Sequence, residues 1–117
     1  MGSVNIGPIY AGDTYTAEFV CEEPDGTAVD LTGCTIRWGY AARATPTAII
    51  ATHTLDTIIR VIDATEGVLA VFIAAGAIPA GTYVHELEVN KPTGETYTYA
   101  RGKMTILQPL YPNAYPA

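Results

Sequence analysis

Two cysteines and two histidines are the residues of this chain best suited to chemistry. Cys21 with His53 or His85 has the composition of a thiolate–imidazole pair, in which the base activates the sulfur. All four together, Cys21, Cys34, His53 and His85, have the composition of a tetrahedral zinc site. The spacing argues against both, because the four are singletons on separate segments, with no Cys-x-x-Cys or His-x-x-x-His pair to seed a metal site. Serine chemistry has even less support: the only serine is Ser3, in a terminal segment where no base would be held against it. Glu86 and Glu88 fall on one side of an extended segment, about 6.7 Å apart along a strand, which approaches the carboxylate separation of glycosidases. Two glutamates on a solvent face are the simpler reading. The acidic run Glu22, Glu23 and Asp25, with Asp30 beyond it, does not follow the ligand spacing of an EF-hand loop. No cofactor or metal is expected.

The elements that would position these residues are strands. Tyr15, Ala17, Phe19 and Cys21 alternate with Thr16, Glu18 and Val20, the period of a half-buried strand. Pro24-Asp25-Gly26 then supplies the fixed φ, side-chain acceptor and positive φ of a tight turn. After a second turn at Asp30-Leu31-Thr32-Gly33, the residues Cys34, Ile36, Trp38 and Tyr40 share one face, which places the only tryptophan in the core. Ala48–Leu55 and Ile58–Ile62 are β-branched runs, readable as one bent strand or two. Val68–Ile73 is almost wholly apolar, as expected of a strand covered on both faces or in the middle of a sandwich, and is assigned to the core. Ala74–Gly81 permits a single helical turn. Tyr83, His85, Leu87 and Val89 face one way and Glu86 and Glu88 the other, which makes His85 a core histidine and leaves His53 at the surface. Thr96–Leu107 is a long last strand in which Gly102 marks a bulge or bend.

About seven short strands with no amphipathic helix predict an all-β fold, an antiparallel immunoglobulin-like β-sandwich. Its body is expected over residues 13–107, between an extended N-terminal arm, 1–12, and an extended C-terminal arm, 108–117, with three prolines and two tyrosines.

At 117 residues the chain has the size of one domain. Only 15% of its residues are charged, against about 25% in ordinary soluble domains. So thin a covering of charge suits a protein packed against others. A net charge of −6, with basic residues scattered along the sequence, argues against a nucleic-acid partner. No apolar run approaches the ~20 residues of a membrane span, and the N-terminus lacks the pattern of a signal peptide, so cytoplasmic synthesis is expected and a membrane partner is not. The two cysteines are expected to be buried free thiols.

Eight tyrosines are the most distinctive feature of the composition. Tyr15, Tyr40 and Tyr83 are assigned to core packing. Tyr10 in the N-terminal arm, Tyr97 and Tyr99 on the last strand, and Tyr111 and Tyr115 in the C-terminal arm are candidate partner-binding residues, with the apolar Ile6, Ile9 and Leu110 beside them.

Gly12-Asp13-Thr14, Pro24-Asp25-Gly26, Asp30-Leu31-Thr32-Gly33 running into Thr35-Ile36-Arg37-Trp38, Pro79-Ala80-Gly81-Thr82-Tyr83, Leu87-Glu88-Val89 and Thr93-Gly94 resemble the β-sandwich modules of tailed-bacteriophage virions. They are most similar to the N-terminal domain of phage baseplate upper proteins, over Gly12 to about Ile106, and similar sandwiches serve as capsid decoration proteins. The resemblance implies a virion structural protein without enzyme activity, docked onto baseplate, fibre or major capsid proteins as a homo-oligomer. It departs at the C-terminus, since a baseplate upper protein continues into a fibre or linker where this chain ends in Pro112–Ala117. The alternative is a carbohydrate-binding module for host surface glycans, which would use Trp38 and the tyrosines as stacking platforms and so requires Trp38 to be exposed.

Overall fold

A computed structural model describes residues 2–55 and 57–109. Nine strand segments, two of them very short or bent onto one edge, build two sheets: β1 (Gly2–Ser3), β2 (Ile6–Tyr10), β3 (Tyr15–Val20), β4 (Thr35–Ala41), β5 (Ile49–Thr54), β6 (Ile59–Asp63), β7 (Val68–Ile73), β8 (Gly81–Asn90) and β9 (Thr96–Leu107). The larger sheet runs β9-β8-β4-β5, with β1 and β2 sharing the outer side of β9, and the smaller runs β3-β7-β6. This is an immunoglobulin-like sandwich with its first strand on the larger sheet. The pairings are antiparallel except those of β1 and β2, which lie parallel to β9.

Alternation places the core. From the smaller sheet Ala17, Phe19, Ile59, Leu69, Val71 and Ile73 point inward; from the larger, Ile36, Trp38, Tyr40, Tyr83, Leu87, Val89, Met104 and Ile106 meet them. Trp38 is completely buried on β4. Tyr83, at the start of β8, donates its hydroxyl to the Pro79 carbonyl at 2.6 Å, the tyrosine corner of immunoglobulin-type sandwiches. Pro79-Ala80-Gly81-Thr82-Tyr83 carried that signal in the sequence, although Tyr83 reads there as packing alone. Where antibody domains bridge the two sheets with a disulfide two residues after this tyrosine, His85 stands instead, its ring 6.0 Å from that of Phe19.

Several expectations change in three dimensions. The N-terminal segment is no free arm: β1 and β2 edge the larger sheet, and Ile6 and Ile9 are spent on this chain's own core. The two β-branched runs are separate strands in different sheets, because the chain crosses the sandwich between Thr54 and Ile59. Of the two readings of Val68–Ile73, the core strand within the sandwich holds: β7 is the middle strand of the smaller sheet with its inner face buried, and Phe72 on its outer face is 39% exposed. Ala74–Gly81 is an irregular turn, closed by Ala77 N–H donating to Ala74 O, and the only helical turn among the described residues is a 3-10 turn at Pro46–Ala48. The β9 bulge falls at Tyr99, between the pairs Glu88–Thr98 and Leu87–Ala100. Gly102 has another task. A Cβ there would lie 2.0 Å from the Val4 carbonyl oxygen, so its missing side chain leaves the gap that the Val4 carbonyl fills as the N-terminal segment runs along β9.

Candidate docking surfaces

The residues singled out for chemistry are distributed as structural groups. His85 is the one buried polar side chain among the described residues. Its Nδ1 accepts from Trp38 Nε1–H at 3.2 Å, so Nε2 carries the proton and donates to the Val4 carbonyl. Both ring nitrogens are engaged, and burial pulls the imidazole below its ordinary range. Cys21 is buried on the inner side; desolvation, with Cys34 nearby, pushes its thiol up to about 11. Burial also raises Cys34, whose sulfur contacts the Asp30 carbonyl. Neither thiol has the environment of a nucleophile, which needs a lowered pKa and access. His53 is partly buried and stacks on Trp38 with ring centroids 6.3 Å apart. No group of three His, Cys, Asp or Glu among the described residues could hold a metal ion.

Glu86 and Glu88 face outward and are each matched across the sheet. Arg37 Nε donates to Glu88 at 2.7 Å and Arg101 Nε approaches Glu86 at 3.6 Å. Such exposed pairs contribute about 0–1 kcal/mol each. With Gly39, Arg43 and Ile49 they line a shallow basin of about 310 Å³ on the outer face of the larger sheet. Gly39 keeps its floor open, because a Cβ there would meet the Ala51 carbonyl oxygen at 2.6 Å. Arg37 and Arg43 lie on β4 and the loop after it, and the fold brings the distant Arg101 of β9 to the same face.

The predicted partner-binding residues divide. Ile6 and Ile9 are 3% and 9% exposed and cannot reach a partner while β2 is in place. Tyr99 is also buried, its hydroxyl donating to Glu23 Oε1 at 3.2 Å, the oxygen that Lys91 Nζ reaches at 3.0 Å. These contacts tie the β8–β9 hairpin to the turn after β3, so Tyr99 closes the chain on itself. Tyr97 is partly exposed, donates to Glu95 at 2.8 Å and carries Lys91 over its ring. Tyr10 is half exposed, beside the exposed Leu107 that it opposes in register. Leu110, Tyr111 and Tyr115 lie outside the described residues.

More apolar surface is exposed on other strands. Among the described residues strand β5 is the free edge of the larger sheet, and Ile49 and Ile50 on it are 56% and 52% exposed. From Ala48 to Leu55 there is no charge and no proline, the usual protections of an exposed edge. A register break beside Ile50 is its only irregularity. The outer face of the smaller sheet adds Val20, Ile62 and Phe72. The sequence marks Ile49 and Ile50 only as strand formers; that they border solvent follows from the strand order. Trp38, the platform a glycan-binding reading requires, is inaccessible. No family model matches the chain, and no curated protein sequence is similar enough to count as a relative.

Proposed function

We propose that this chain is a non-enzymatic structural module of a bacteriophage particle, docking onto other virion proteins through the β5 edge of its larger sheet. The observation that carries the docking reading is the uncharged, β-branched edge at Ile49 and Ile50, where no further strand pairs among the described residues and the exposed side chains suit addition of a partner strand. Thin surface charge agrees with it. The assignment to a virion rests on the turn and strand signatures shared with baseplate upper domains. Exposed Tyr10 and Leu107, where the chain leaves β9, extend the available surface.

Immunogold labelling of purified particles, with an antibody against this chain, should place it on capsid or tail. Particles assembled with the Ile49→Lys, Ile50→Lys double variant should lack the protein, although the variant folds. A folded double variant that is incorporated at the parent level refutes docking by this edge. Particles free of the wild-type protein refute the virion role.

A further inference from the structure

We infer that the Trp38–His85–Val4 relay is an acid-sensitive latch that holds the N-terminal strand on β9 at neutral pH and releases it when His85 gains a second proton. The geometry carries this. Trp38 Nε1–H needs an acceptor at Nδ1, and the Val4 carbonyl needs a donor at Nε2, so only one neutral tautomer serves both. Protonation at Nδ1 sets two N–H donors against each other in a site with no solvent access.

Among the described residues nothing around the ring compensates an imidazolium. From β3 it meets Phe19, from β4 Trp38 and its cross-strand neighbour Tyr40, from β9 Gly102, and from the N-terminal segment the Val4 carbonyl. Tyr40 is the one titratable group among these, and it stays neutral across the acid range, since burial raises it. The adjacent Glu86 turns to the opposite face, toward Arg101. A buried charge without a partner is relieved by the smallest opening that admits water. Here that opening is the N-terminal segment, which among the described residues is paired on one side only and sets its Val4 carbonyl on the histidine through the Gly102 gap. Opening β4 from β8 would break a ladder of seven register pairs.

The direction in pH follows. The folded-state pKa of His85 lies below the ordinary 6.5, so the unfolded or released state takes up the proton first. The latch is closed above that value and opens as pH falls from it through the folded pKa.

Hydrogen–deuterium exchange of the full chain, corrected for the intrinsic pH dependence of exchange, tests this between pH 7.5 and 4.5. Peptides covering residues 2–10 should lose protection at least tenfold with a midpoint below 6.5, while peptides from β4 and β8 keep theirs. In a His85→Gln variant, whose amide offers a donor and an acceptor but does not titrate, protection of residues 2–10 should not change over this range. Three results overturn the latch: equal protection of residues 2–10 at both ends of the range, simultaneous loss in every strand, or the same pH-dependent loss in a folded His85→Gln chain. The wild-type exchange pattern decides even if that variant does not fold.

Discussion

Replacing Gly102 with alanine should be among the most damaging single-methyl changes in this protein, although alanine is ordinarily the better residue in a strand. The added Cβ would sit 2.0 Å from the Val4 carbonyl oxygen, 2.6 Å from its carbon and 3.1 Å from Asn5 Oδ1. The two closest obstacles are backbone, so no rotamer change relieves them, and the segment must move by more than an ångström. That movement breaks the Val4 N–H bond to Arg101 O, 3.0 Å long, and removes the acceptor of His85 Nε2–H. The first loss costs about 0.5–1.5 kcal/mol and an unsatisfied buried donor about 1–3, so about 1.5–4.5 kcal/mol in total. Full detachment of the strand would add the exposure of Ile6 and Ile9, about 1.5–3 kcal/mol each. Against a typical stability of 5–15 kcal/mol this is a large fraction. Urea unfolding followed by the emission of Trp38 measures the loss, and a lower m-value would report the detached strand. Deleting residues 1–5 removes what the methyl group strikes, so in the truncated chain Gly102→Ala should be nearly neutral. A Gly102→Ala protein within 0.5 kcal/mol of the parent, with residues 2–10 still protected from exchange, would refute this account of Gly102.

Tyr83→Phe removes the bond to the Pro79 carbonyl at the β7–β8 corner and should lower stability by about 0.5–1.5 kcal/mol, read as a shift in urea midpoint; an unchanged midpoint would mean the corner contributes nothing. Cys21, with its thiol pushed up to about 11, holds about one thiolate per thousand molecules at pH 8, so maleimide or disulfide reagents should modify it only after denaturant is added. Rapid labelling of Cys21 in the folded protein would contradict its burial.

The alternation in Tyr15–Cys21, Cys34–Tyr40 and Thr82–Val89 was legible because side-chain direction in a strand is a local property with a period of two. It correctly sends Phe19, Trp38, His85 and Leu87 inward and Glu86 and Glu88 outward. The turns at Pro24-Asp25-Gly26 and Asp30–Gly33 were legible for a similar reason, since their chemistry acts over two or three residues; Asp25 accepts from Thr27 and Asp30 from Thr32. An all-β sandwich follows from such local signals together.

Which strands become neighbours is not a local property. The apolar Val4, Ile6 and Ile9 are compatible with a free arm or with an edge strand, and only pairing with β9, some 98 residues further on, puts Ile6 and Ile9 in the core and Val4 against it. Likewise the two β-branched runs belong to opposite sheets, which among the described residues leaves β5 as a bare edge and puts Ile49 and Ile50 in solvent. The meeting of Arg101 with Arg37 and Arg43 in the basin and the triad of Val4, Trp38 and His85 are also assembled by strand order, from positions that nothing in the sequence connects. By itself the sequence determined the fold class and the face each strand buries, because hydrophobic periodicity states which side of a strand avoids water. The tertiary structure alone decided the partner and register of each strand, because those depend on contacts between residues far apart in the chain, and the candidate docking edge and the histidine latch both follow from that choice.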